Sequence, residues 1–439
     1  MYAILKQLVK LALFFFYKKI EVSGKEHLVD KGPLLVVANH PNTLMDPLIV
    51  AALLKQRTGF LAKSGLFKNR TVGRVLSWLH VVPVYRKVDL EPGKTPDNRT
   101  TFSKCHDYLS RKGSILIFPE GNSYNELKLR EIKTGTARIA LSFEDENGLE
   151  EELKILPIAI DYSNATLFYS HVSVRVGAPI VVSDFKSNNE NLDSVTQVKQ
   201  LTQLIEDRLE EQLPITTDKD QEEFLRQCHS FYLQYQDDAV TDIEKENTLG
   251  LRLRISRIMQ KLRKSNQKLY TDTQQKLKQL FHDIKREKLT LHCLENNFMH
   301  SNKPFAITLR LLKLVLLSPI YVFGMVCNYL PYIIPSMVFK LSKLEIEFKT
   351  PVQMIVGMLL FPLYYWFMIV MIGRFVQLDY PLLLIPAFII SGQIAIYVTA
   401  QFKLLISELN FCFRVEPQAK MELVALKKDI LYNFNQVKV

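Results

Sequence analysis

PLLVVANHPNTLMDP, running from Pro33 to Pro47, decides how the first half of the chain is read. Five consecutive apolar residues, Leu34 to Ala38, follow a Gly-Pro turn signal and end at a polar Asn39. A run this short, apolar at every position, reads as a strand buried within a sheet. It delivers the chain to His40, a tight Pro-Asn segment follows, and Asp46 comes six residues after His40. From Leu48 to Leu54 the apolar residues continue in helical fashion.

Working outward, the same kind of run recurs in VVPVYR (Val81 to Arg86), SILIFPEG (Ser114 to Gly121) and ILPIAIDY (Ile155 to Tyr162), each bounded by Pro, Gly or charge. Helical patterns such as TFSKCHDYLSRK lie between them, and HVSVRVGAPIVV adds a last strand or hairpin up to Val182. Strands alternating with helices predict an α/β domain over residues 21–188, with a central mixed sheet flanked by helices.

Before it, MYAILKQLVKLALFFFYKKI (residues 1–20) has an apolar run too short to span a bilayer comfortably, and Lys6 and Lys10 interrupt the stretch ahead of it. No small-residue cleavage site follows, which disfavours a removed signal peptide. Two readings stand: a membrane-associated helix lying in the interface, or a helix packed on its own domain.

Residues 189–302 change character. They are rich in Gln, Glu, Asp and Lys, with apolar positions at helical spacing in LTQLIEDRLEEQL and LRLRISRIMQKL. This is a charged helical subdomain with opposed halves: thirteen acidic against four basic residues from Leu201 to Gly250, then twelve basic against three acidic from Leu251 to Lys288. Either the halves pair with each other or the basic one lies on lipid. Residues 303–439 carry three apolar spans, near Leu311–Ile334, Val352–Ile372 and Pro381–Ala400, and a tail. The second and third hold no charged residue and are long enough to cross a bilayer. The first contains Pro319 and Pro331, so it is either one crossing or a re-entrant pair.

With 439 residues the chain has room for two or three domains. Its net charge of +11 beside apolar spans suits an anionic membrane surface, which attracts each nearby Lys or Arg by roughly 1 kcal/mol. No nucleic-acid motif appears, so nucleic acid is not an expected partner. Five scattered cysteines lack any CxxC spacing, which argues against a disulfide framework and a structural zinc site and predicts a reducing compartment. No metal or cofactor is expected.

Three features carry chemistry. A histidine titrates near pH 6.5, and a nearby carboxylate can orient its ring and stabilise its charged form, so His40 and Asp46 are a candidate base and partner for a hydroxyl proton. IFPEGNS ends a strand in Glu120 and Gly121, a carboxylate and a closely approachable backbone just outside a sheet edge, where open α/β sheets place ligands. FLAKSGLFKNRTVGRVLSWLHVVPVYRK concentrates Lys63, Lys68, Arg70, Arg74, Arg86 and Lys87; Arg86, at a strand end, could hold a phosphate through paired N–H donors, and Lys133 is a similar candidate. Alone, each is also readable as a turn or a solvated basic face.

Taken in order, NHPNTLMDP, the AKSGLF to VYR stretch, FPEGNS and ILPIAI resemble the four blocks of the glycerolipid acyltransferase family, the PlsC-like glycerol-3-phosphate and 1-acylglycerol-3-phosphate acyltransferases, over roughly residues 21–182. The resemblance implies transfer of a fatty acyl group from acyl-CoA or acyl-carrier protein to a glycerol-phosphate hydroxyl in phospholipid synthesis. It implies His40 as catalytic base with Asp46 its partner, and Arg86, Glu120 and Gly121 as glycerol-phosphate contacts. Lys63 and Lys133 become supporting phosphate ligands, and Pro157 part of the acyl-donor region. The sequence departs from the family in two places. Five residues, not four, separate His40 from Asp46, and Asn122-Ser123 follow Gly121 where the family commonly has Thr-Arg-Ser. Rival readings are an acyltransferase for another lysolipid or amino-acid lipid, and a non-catalytic membrane scaffold. The expected location is an integral membrane protein with its catalytic domain on the cytoplasmic face, in a bacterial inner membrane rather than the endoplasmic reticulum.

Overall fold

The computed structural model describes residues 2–67, 70, 73–74, 81–85, 98–147, 152–235, 248–295, 303–377 and 379–437. The chain divides into two compact units. The first comprises Met1–Ile215, Asn247–Leu249 and Glu345–Pro351; the second comprises Thr216–Glu246, Gly250–Leu344 and Val352–Val439.

The first unit is built on one mixed sheet. Among the described residues its strands are β1 (Lys19–Ser23), β2 (Leu34–Ala38), β3 (Thr58–Lys63), β4 (Val81–Val84), β5 (Ser114–Ile117), β6 (Lys154–Tyr162), β7 (His171–Val176) and β8 (Ile180–Val181). They lie in the order β1-β7-β6-β2-β5-β3-β4, with β8 beside β6. The neighbours are parallel, except that β6 runs antiparallel to β7 and β8. The central β2, flanked by parallel β5 and β6, is buried at every position, as its unbroken apolar run predicts.

Period 2 sorts the strand residues by face. Leu35, Val37, Ile115, Ile117 and Ile155 pack in one cluster with α3 (Arg99–Leu109), α4 (Gly135–Asn147) and α6 (Ser194–Glu210). The helices α1 (Tyr2–Phe16), α2 (Met45–Leu53) and the short α5 (Val182–Ser187) also belong to the unit. The expected boundary at residue 188 falls inside this body. Helix α6 starts at an Asp193 cap that accepts from the Thr196 N–H, and it buries Leu201, Ile205 and Leu209 in the sheet's core. Helix α1 buries Ala12, Leu13 and Phe16 but leaves Ile4, Leu8, Leu11 and Phe14 exposed, so one apolar face packs and another stays open.

The second unit has helices and, among its described residues, no strand: α7 (Lys219–Tyr235), α8 (from Thr248 to Ser265), α9 (Gln267–Arg286), α10 (Lys303–Ser342), α11 (Lys349–Gly373), α12 (Leu384–Leu409) and α13 (Pro417–Val437). The charged helices and the apolar ones form one body. Tyr235 donates to the Leu291 carbonyl, Lys427 reaches the Leu294 carbonyl and lies over the Tyr235 ring, and buried Glu408 of α12 pairs with His292 and Arg310.

Among the described residues three helices, Lys303–Ser342, Ile346–Gly373 and Pro381–Arg414, are long and apolar enough to cross a membrane. The first is continuous through Pro319, Pro331 and Pro335; the prolines do not divide it into a re-entrant pair. At Pro319 the cause is visible. Proline frees the carbonyl four residues back, that of Val315, and the Ser318 hydroxyl donates to it at 2.8 Å.

Candidate active site

Sheet register brings the motifs together. Val37 of β2 lies opposite Ile117 of β5 on one side and Pro157 of β6 on the other. Three residues beyond Val37 is His40, and three beyond Ile117 is Glu120, so both emerge at the same level past the C-terminal ends of parallel strands. The His40 backbone N–H donates to Glu120 Oε1 at 3.0 Å, and the Arg130 N–H donates to Oε2 at 3.1 Å. Burial pushes the Glu120 carboxyl above its usual range, against the pull of these two N–H donors. Glu120 thus ties the turn after β2 to the loop after β5.

His40 Nδ1 lies 2.8 Å from Asp46 Oδ2, although five residues separate the two. The turn closes because the Met45 N–H donates to the Asn42 carbonyl at 2.8 Å, starting α2 so that Asp46 falls in its first turn beside the histidine. Asp46 is fully buried, and its oxygens also accept the Asn42 N–H at 2.7 Å and the Tyr162 hydroxyl at 2.6 Å. A carboxylate can only accept, so Nδ1 carries the ring proton and Nε2 is left as an acceptor. The ring stacks on Phe118, with centroids 3.8 Å apart and planes 11° from parallel, and 16 % of the side chain stays open. Burial first, and the Asp46 charge second, hold the Tyr162 hydroxyl well above its ordinary pKa, so it remains a neutral donor to Asp46.

Gly121 has φ +77°, and a Cβ there would come within 2.5 Å of Lys133 Nζ, so a side chain would be strained and would displace the lysine. Lys133 is exposed, and its own N–H donates to the Pro119 carbonyl at 2.9 Å. Lys63 is the exposed last residue of β3. These two amines, Gly121, Glu120 and the His40–Asp46 pair all stand at or just beyond the C-terminal ends of β2, β3 and β5. Arg86, with Lys68 and Lys87, lies outside the described residues. Pro157 is not beside the pair: it is buried in β6 opposite Val37, where β8 has ended at Ile155 and β7 begins at Ile158. A strand proline fits such a gap between ladder partners. Sequence reasoning missed Tyr162, Phe118 and Asn39, whose amide exchanges two hydrogen bonds with Ile160. The signal for Tyr162 was the length of its strand, which outruns β2. Among the described residues, no group of three or more His, Cys, Asp or Glu could hold a metal ion.

A buried carboxylate orienting an imidazole at the end of a parallel strand defines a site with the geometry to take a proton from a hydroxyl. Residues 19–161 match the family model described as Acyltransferase. Over 138 residues the chain is 28 % identical to the chloroplastic 1-acyl-sn-glycerol-3-phosphate acyltransferase LPAT1 of Arabidopsis thaliana, covering 31 % of this chain and 36 % of that one. Over 86 residues it is 35 % identical to glycerol-3-phosphate O-acyltransferase 2 of Saccharomyces cerevisiae, covering 20 % of this chain and 11 % of that one. Among solved structures it is similar to the 1-acyl-sn-glycerophosphate acyltransferase PlsC of Thermotoga maritima, with a TM-score of 0.35 and 18 % identity over 48 % of this chain and 78 % of that chain. The likeness to acyltransferases lies in residues 19–161, about a third of the chain. The matched stretch spans well under half the length of the curated relatives.

Proposed function

We propose that the protein transfers a fatty acyl group from an acyl-thioester, acyl-CoA or acyl-carrier protein, to the hydroxyl of glycerol 3-phosphate or 1-acylglycerol 3-phosphate. The observation that carries this reading is the His40–Asp46 pair, its Nδ1 committed to a buried carboxylate and its Nε2 left as a base. Nε2 takes the hydroxyl proton as the acceptor oxygen attacks the thioester carbonyl. The tetrahedral intermediate collapses with cleavage of the C–S bond, and the departing thiolate takes the proton back from the imidazolium. Ester and free thiol result, and the histidine is regenerated.

Lys63, Lys133 and Arg86 are assigned to the acceptor's phosphate, with Gly121 letting the backbone come close. Glu120 keeps lone pairs for a glycerol hydroxyl while bracing the two turns. The three apolar helices support a membrane site for a reaction whose product is a lipid, and the thioester donors favour the cytoplasmic face.

Detergent-purified protein should release free thiol from an acyl-thioester in a manner dependent on one of the two acceptors. His40→Ala should lower kcat by about 10²–10⁴-fold, the usual worth of a general base. Full activity in that variant would remove the mechanism.

A further inference from the structure

The turn that carries Asp46 to His40 is held from more than 300 residues away in the chain. Glu345–Pro351, the connection from α10 into α11, belongs to the catalytic unit. Thr350, only 1 % exposed, donates its hydroxyl to Asn42 Oδ1 at 2.9 Å. The Ala165 carbonyl, which also accepts from Asn42 Nδ2 at 2.9 Å, lies 3.1 Å from the same hydroxyl, so the shorter contact gives the one Thr350 proton to Asn42. A second strut stands beside the first: Thr43 Oγ1 donates to the Glu347 carbonyl at 2.9 Å, while the Thr43 N–H donates to Ser123 Oγ.

Asn42 matters because its backbone N–H donates to Asp46 Oδ2, the same oxygen that takes His40 Nδ1. Where Asn42 sits therefore sets where the carboxylate points, and with it the plane of the imidazole. A turn with five residues between His40 and Asp46 has more freedom than a shorter one, and here both of its polar side chains are fixed by the α10–α11 connection. Placement errors near an ångström are enough to cost orders of magnitude in rate.

We infer that Thr350 is a positioning residue for the His40–Asp46 pair, acting through Asn42, so that the geometry of the base is set by the chain linking two membrane-type helices. This rests on the proposed role of His40 as base. Thr350→Val keeps the shape and removes the hydroxyl, leaving a buried amide oxygen without this donor.

The test has two readouts. In the transferase assay, Thr350→Val should lower kcat about tenfold, leave the acceptor KM within about twofold, and be rescued by Thr350→Ser. The Asn42→Ala, Thr350→Val double variant should be no slower than Asn42→Ala alone, since both cut one path. Independently of activity, carbethoxylation of His40, followed by peptide mass spectrometry with His106 as internal reference, should be several-fold faster in Thr350→Val than in the parent. If the parent transfers no acyl group, the proposed function fails and the modification rate still decides the inference. If Thr350→Val does not fold, Thr43→Val, which cuts the half-buried second strut, takes its place in both readouts. Unchanged kcat and unchanged His40 modification in a folded variant, or additive losses in the double variant, would overturn the inference.

Discussion

At the scale of single residues, the site turns on which atoms can only accept. Asp46 receives His40 Nδ1 and the Asn42 N–H on one oxygen and the Tyr162 hydroxyl on the other. This arrangement makes a definite prediction for Asp46→Asn. The amide oxygen can face His40 and Asn42, and the amide nitrogen can donate to Tyr162, because a hydroxyl can rotate to accept. Ring orientation survives, and what is lost is the negative charge that stabilises the imidazolium. We expect kcat to fall about 10–10²-fold, less than for His40→Ala, with the acceptor KM little changed. Steady-state kinetics on both variants checks this. A loss equal to that of His40→Ala would mean that the amide flips and the ring takes the wrong tautomer. His40, Asp46, Glu120 and Gly121 stood out in the sequence because each belongs to a compact local motif. Tyr162 and Thr350 did not, because they reach Asp46 and Asn42 through sheet register and through a loop far along the chain.

At the scale of elements, short apolar runs gave away β2, β5 and β6, since a strand buried on both faces must be apolar throughout. Helix α6 was harder to place. Its exposed face carries Asp207, Arg208 and Glu210, so by composition it resembles the charged helices that follow; only its stripe of Leu201, Ile205 and Leu209 assigns it to the sheet. Helix α7 holds a group that the sequence did not mark. Burial, and then the nearby Arg252 and Arg226, push the His229 imidazole down to about 4. The native state therefore keeps His229 neutral while an unfolded chain protonates it near pH 6.5. Stability from this group is fully present above about pH 6.5, is lost as pH falls toward 4, and changes no further below that. The loss should approach about 3 kcal/mol. His229→Gln should remove this part of the acid sensitivity. Apparent melting temperatures of both proteins at pH 7 and pH 5 measure it, and an equal drop in the two would show that His229 is not the cause.

At the scale of the whole molecule, the division into units says more about membrane arrangement than hydropathy alone. Only Lys343 and Leu344 separate the end of α10 from Glu345, which already belongs to the catalytic unit. The end of α10 and the start of α11 are thus joined by chain to the unit that holds the His40–Asp46 pair, and we predict that they emerge on the same membrane face as the proposed active site. Helix α11 has 25 residues, about 37 Å at 1.5 Å per residue, more than the roughly 30 Å of bilayer hydrocarbon. Starting from the catalytic face, it has the length to bring Arg374 out on the opposite one. Four of the five cysteines are buried and Cys412 is half-buried, so a background lacking Cys412 leaves little native labelling. In sealed vesicles of one orientation, a membrane-impermeant maleimide should label Lys343→Cys together with Arg111→Cys, an exposed position of the catalytic unit. Arg374→Cys should react only after the vesicles are permeabilised. If Arg374→Cys labels from the same face as the other two, α11 does not cross, and α11 and α12 enter and leave the bilayer from the catalytic side.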